Sequence, residues 1–318
     1  MTGAALVPDP VRRAGLMLVL VTALISGLAV FVNSYAVGNT SSNAFVTLRN
    51  LVVALVLVGP VLVTARGSVR SLTGRQVALL AVLGLIGGSV PFLLYFRGLQ
   101  LATAAGGLAT AAFLYRTLFL WAGLAGFLVL RERLGSRALA AGAVLLAGNL
   151  LMLDLTKFSW SDGTSYVLAA TLLWTAEYTL ARRVLKELSS GVVALGRMGF
   201  GAAFLLVFLA ATSGTAAVGT FSASTWTWIA ISALLLTGFV ATWYAGLKRV
   251  ELGVAAAVLN LGYPVTLAAA YLVKGVGAPW VPALGAVFVT AAVVVLVAPG
   301  LLAAPSARPA SVARPPAA

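Results

Sequence analysis

The chain has 318 residues, 61% of them hydrophobic and only 9% charged, with a formal net charge of +14 and a mean hydropathy of +1.06. A soluble domain of this size needs far more polar surface to cover its core, so the composition describes a chain dissolved in lipid. Cysteine and histidine are both absent, which excludes disulfides and thiolate or imidazole metal sites and removes the commonest general base, so no metal or cofactor is expected.

A membrane-crossing helix needs about 20 mostly apolar residues, and ten such stretches follow one another. The first, 14–36, stands behind Arg12 and Arg13 as a secretory signal would, but it is too long for one and lacks a small-x-small cleavage site. The second, 44–64, carries Arg49. The third, 76–96, carries Gly84, Gly87, Gly88 and Pro91, residues that favour close helix contact. The fourth, 103–130, carries Tyr115 and Arg116, and the fifth is 138–153. The sixth, 163–182, carries Trp174 and Glu177, and the seventh, 191–212, carries Arg197. The eighth, 225–246, is framed by Trp226, Trp228, Trp243 and Tyr244 as interface anchors. The ninth, 252–273, carries Asn260, Tyr263 and Pro264, and the tenth is 279–299. Residues 301–318, rich in Ala, Pro and Arg, read as a disordered tail. Every backbone polar group must be satisfied internally in lipid, so the spans are helices and the fold class is an all-α membrane protein.

Basic residues settle the expected orientation. With the N-terminus in the cytoplasm, fifteen Lys and Arg fall on the cytoplasmic side, from Arg12 and Arg13 to Arg308 and Arg314. Three (Arg97, Lys157, Lys274) fall on the other side, and three (Arg49, Arg116, Arg197) lie within spans. That bias predicts cytoplasmic termini, and the placement of charge in short loops argues against nucleic acid as a partner.

A shift of 148 residues brings Gly15 onto Gly163, Arg49 onto Arg197, and Gly98-Leu99 onto Gly246-Leu247. Two five-span repeats are therefore predicted, 14–155 and 156–300, between a short cytoplasmic segment 1–13 and the tail. Five is odd, so the second repeat enters the membrane upside down. Inverted repeats of this kind mark secondary transporters, with the substrate site near the midplane at the repeat interface.

Charged residues inside a membrane are costly and mark functional sites by default. Arg116 sits about thirteen residues from either end of its span, nearly 20 Å from each surface at ~1.5 Å per residue. Its planar fork suits a carboxylate or phosphate, and a structural pair with Glu177 is the alternative. Glu177 is a candidate for proton coupling or for a substrate amine, with a fixed ion pair to an arginine as the competing reading. Arg49 and Arg197 lie about one and a half turns inside a helix end, within snorkelling reach, and read as structural anchors or symmetric gates. Pro264 frees a carbonyl near Asn260, and Tyr263 lies beside it. Tyr115 and Trp174 are candidate cavity walls, and Pro91 and Pro264 are candidate gating or structural positions.

Taken together, the ten spans, Leu48-Arg49 and Gly196-Arg197 in helices 2 and 7, Leu173-Trp174 in helix 6, the small-residue runs ATAAGGLA and LGVAAAVL opening helices 4 and 9, Pro264, and Glu132 closing helix 4 resemble the drug/metabolite transporter superfamily, EamA type. The resemblance implies a proton- or gradient-driven carrier, usually an exporter of amino acids, metabolites or drugs. The chain departs from that pattern in three places. Arg116 stands where proline is usual, Ser26 stands opposite Trp174, and the acidic residue expected at the end of helix 9 is missing.

Three embedded arginines against one embedded glutamate favour substrates with an anionic group, such as amino acids or other organic acids, whether anionic or zwitterionic. The expected setting is the inner (plasma) membrane, multi-pass. No phosphate-binding loop is present, which argues against ATP-driven pumping. The competing readings are a non-transporting partner or sensor subunit and a membrane-embedded enzyme on lipid substrates.

Overall fold

The computed structural model describes residues 10–36, 41–133, 135–153, 158–212, 214–275 and 279–302. Lys157, Arg308, Arg314 and the tail beyond Leu302 lie outside the described residues. The helical runs are α1 (Pro10–Ala36), α2 (Ser42–Arg70), α3 (Gly74–Ala104), α4 (Leu108–Leu130), α5 (Ser136–Met152), α6 (Asp162–Val184), α7 (Ser190–Ala211), α8 (Ala223–Leu247), α9 (Leu252–Leu259 and Gly262–Lys274) and α10 (Trp280–Leu302). No strand occurs among the described residues. Eight of these helices are long and apolar enough to cross a membrane. The apolar α5 is shorter, and α6, which carries Asp162, Glu177, Arg182 and Arg183, is not among the eight.

Helix starts are written in the sequence. Thr73 and Gln76 form a reciprocal capping box at α3, Ser161 and Thr164 another at α6, and Ser189 and Ser222 cap α7 and α8. One boundary differs from the hydropathy reading. The run expected to open helix 4 instead straddles a turn: its first residues finish α3 at Ala104, and its last two open α4. Gly106 at φ 71° closes that turn, and the Gly107 amide donates to the Ala102 carbonyl at 2.7 Å. Only a residue without Cβ enters that left-handed region cheaply, so α4 begins at Leu108 and Arg116 lies nearer its start than its end.

Packing follows the internal repeat. The contacts α1·α8 and α6·α3 exchange with each other when each helix is replaced by its repeat mate, and so do α1·α9 and α6·α4. The α2·α7 and α5·α10 contacts map onto themselves. The glycines that align by 148 residues lie at matching crossings. A Cβ on Gly163 would meet the Gly98 carbonyl at 2.6 Å, and one on Gly246 would meet the Gly15 carbonyl at 3.3 Å.

Irregular backbone concentrates at the centre. α3 passes through a π-helical turn at Gly84–Ser89 just before Pro91. α4 is interrupted at Thr117, and α9 at Asn260 and Leu261. Such breaks persist at membrane depth where protein groups or a cavity take up the freed polar atoms.

Candidate functional site

Two polar centres occupy the interior. The first forms because Pro91 has no N–H, so the Gly87 carbonyl four residues earlier loses its helical donor. That oxygen accepts instead from Arg197 Nη2 at 2.9 Å and Trp174 Nε1 at 3.2 Å. The neighbouring Gly88 carbonyl accepts from Asn50 Nδ2 at 2.9 Å, and Asn50 Oδ1 accepts from Arg49 Nε and Nη2, both at 3.1 Å. Glu177, fully buried, receives the Tyr244 hydroxyl on Oε1, while its Oε2 faces Arg197 Nε at 3.5 Å. Glycine is required at 87 because a Cβ there would come within 2.3 Å of Glu177 Cγ.

Arg49 and Arg197 are repeat mates, and both guanidiniums lie over Phe92, at 4.9 Å and 5.9 Å from its ring centroid. Each also contacts the residue after it, Asn50 for Arg49 and Met198 for Arg197. Neither snorkels to a surface: both are 3% exposed, because α2, α3 and α7 close over them. Glu177 pairs with Arg197 rather than with Arg116.

The second centre is a cavity of about 140 Å³ between α1, α4, α6 and α9. Tyr115, Arg116, Asn260 and Tyr263 line it, together with Ser26, Tyr95, Tyr178 and Thr266. The Arg116 guanidinium lies 3.8 Å from the Tyr263 ring centroid, a cation–π stack, and its Nη1 reaches Met152 Sδ at 4.0 Å. Among the described residues no carboxylate pairs with it. Asn260 Oδ1 accepts from Asn149 Nδ2 at 3.2 Å, which ties α5 to α9. Trp174 packs edge-on to Tyr95 and Tyr115 at 5.5 and 5.6 Å, behind the aromatic wall rather than at the cavity surface.

Of the residues singled out from sequence, Arg116, Tyr115, Asn260 and Tyr263 come together at the cavity. Glu177, Arg197, Arg49, Trp174 and Pro91 meet in the first centre. Pro264 sits in the α9 segment just past the break, where the Asn260 carbonyl accepts from the Tyr263 amide at 3.2 Å. Asn50, Tyr95, Tyr178 and Tyr244 were not anticipated. Asn50, next to Arg49 in an apolar span, carried a usable signal; Trp243 and Tyr244, expected as interface anchors, are instead buried in the core, Tyr244 against Glu177.

A larger cavity, about 710 Å³, opens at the ends of α4, α5, α9 and α10. Its walls are mostly apolar, and Arg12, Glu132, Arg133, Arg137 and Glu251 stand among them. Phe119 lines both cavities. Glu132 caps α9, accepting the Leu252 amide at 2.9 Å while pairing with Arg182 at 3.5 Å. The same end carries the Arg12–Glu251 and Arg75–Glu187 pairs.

Comparison with known proteins agrees with this layout. The model of the EamA-like transporter family matches twice, over residues 13–154 and 162–298. No curated protein matches the chain. Among solved structures, one titled "Crystal structure of protein" superposes with a TM-score of 0.73 at 17% identity, covering 92% of this chain and 99% of its own, a likeness of fold. Two family matches span the two halves whose helices pack as repeat mates, and the chain belongs to the EamA-like transporter family, a family of membrane transporters.

Proposed function

We propose that the chain is a secondary active transporter that moves small metabolites bearing an anionic group, such as amino acids or organic acids, by alternating access, with export as the working direction. In this reading ten helices cross the inner membrane as two inverted fives, 14–155 and 156–300, with both termini cytoplasmic. The basic end, with the 710 Å³ cavity, then faces the cytoplasm. The observation that carries the proposal is Arg116, a guanidinium with no carboxylate partner among the described residues, set in an aromatic-lined cavity at the junction of the repeats. A membrane interior does not retain such a charge without a use for it. Among the described residues Glu177 is the one fully buried acid available to exchange a proton with a gradient, and its clamp of Tyr244 and Arg197 is the switch such coupling would work through.

Flux measured in proteoliposomes tests the proposal. Reconstituted protein is expected to move a labelled organic acid down an imposed gradient, and Arg116→Gln is expected to cut the initial rate at least tenfold. Undiminished flux in Arg116→Gln would remove the cavity from the pathway. No flux of any acid would turn the protein into a non-transporting subunit.

A further inference from the structure

We infer that the central cavity selects small organic monoanions over zwitterions and cations, and that Ser26 sets its size. The inference deepens the reading of this cavity as the substrate site.

Charge carries the first half. The described lining residues include one cation, Arg116, and no carboxylate. Glu177, the interior acid nearest in sequence logic, does not line the cavity and is already engaged by Tyr244 and Arg197. A ligand carboxylate therefore supplies the counter-ion that no described residue gives Arg116. A ligand ammonium meets the opposite situation. It is desolvated beside a like charge and needs a carboxylate or several free acceptors. Asn260 Oδ1 already accepts from Asn149, and the hydroxyls of Ser26, Thr266 and the tyrosines are neutral, so none of them offsets an ammonium placed beside Arg116.

The internal repeat carries the second half. Tyr115 and Tyr263 are mates under the 148-residue shift, and so are Trp174 and Ser26. Around Tyr115 the indole of Trp174 fills the space. Around Tyr263 the corresponding position holds only the Ser26 side chain, and Val30 stands where the other half has Tyr178. The void lies beside Ser26 and Val30 of α1, and α4, α6 and α9 close the rest of it. At about 140 Å³ it is smaller than the roughly 300–1,000 Å³ pockets that hold drug-sized ligands, so it suits a short-chain acid and excludes a bulky amphipathic drug.

Isothermal titration of the purified full-length protein with matched three-carbon probes tests this. L-lactate and pyruvate are expected to bind, L-alanine at least tenfold more weakly than L-lactate, and 2-aminopropane not at all. Arg116→Gln is expected to weaken L-lactate at least tenfold. Ser26→Trp, which supplies the missing indole, is expected to abolish L-lactate binding. Melting temperatures of the variants verify folding, and Ser26→Leu replaces Ser26→Trp if the latter does not fold. Alanine binding as tightly as lactate, binding of the amine, failure of both acids, or lactate binding unchanged in Arg116→Gln or in folded Ser26→Trp each overturns the inference. Flux separates it from the transporter reading: acid binding without flux sinks transport alone, and flux confined to a zwitterion or cation sinks only the selectivity.

Discussion

Glu177→Gln is expected to destabilise the protein by about 3–5 kcal/mol, because removing one member of a buried pair leaves the other charge uncompensated. Arg197 is 3% exposed, and apart from Glu177 its contacts are the Gly87 carbonyl, the Met198 sulfur and, more distantly, the Phe92 ring. None of these replaces a counter-ion. The double variant Glu177→Gln/Arg197→Met removes both charges at once, and apolar replacement of a whole buried pair is often neutral or stabilising. It is expected to recover most of the lost stability. Tryptophan fluorescence during thermal unfolding in detergent measures all three variants. A Glu177→Gln midpoint equal to that of the unaltered chain would mean that the pair contributes nothing. The double variant also separates structure from coupling. If it is stable yet no longer uses an imposed proton gradient, Glu177 acts in transport and not only in packing.

Gly163→Ala is expected to be the most damaging single-methyl change in the chain. Its Cβ would lie 2.3 Å from the Ala102 amide nitrogen and 2.6 Å from the Gly98 carbonyl oxygen. Both are backbone atoms, so no side chain can swing away, and α6 must separate from α3. Overpacking of this kind costs about 1–3 kcal/mol, and more where backbone has to move. The repeat mate Gly15 meets Arg249 Cβ and Val250 Cγ2 at 2.6 Å. The valine methyl can turn, and Gly15→Ala is expected to cost less. Gly123→Ala has nothing within 4 Å and is expected to be neutral or to stabilise α4 by up to about 1 kcal/mol through helix propensity. Size-exclusion profiles and melting temperatures of the three variants check the order. Gly163→Ala melting no lower than Gly123→Ala would show that the crossing is looser than these distances require.

The helices were legible because lipid leaves the chain one way to satisfy its backbone, and apolar runs of the right length announce it. Where an end was misplaced, at Gly106, the apolar pattern runs through a turn that a glycine alone makes. The cavity was partly legible, since Arg116, Asn260 and Tyr263 are conspicuous in apolar surroundings. Their companions were not. Tyr95 and Tyr178 sit in helices full of aromatic and apolar residues, and nothing along the chain says which face of a helix meets the repeat interface. The role of Pro91 shows the same limit. Its missing N–H could be read from sequence, but that the freed Gly87 carbonyl would receive Arg197 and Trp174 from two other helices could not.

Hydropathy, the placement of Lys and Arg, and the 148-residue repeat by themselves determined that this is a helical membrane chain built from two related halves, because those properties are set by solvent and apply residue by residue. Only the tertiary structure decided that Glu177 belongs to Arg197 and that Arg116 stacks on Tyr263, with no carboxylate partner among the described residues. Pairing of buried charges depends on which helix faces meet, and in a bundle packed largely by small apolar residues that is set by shape, at distances of a few ångströms, between positions tens of residues or more apart.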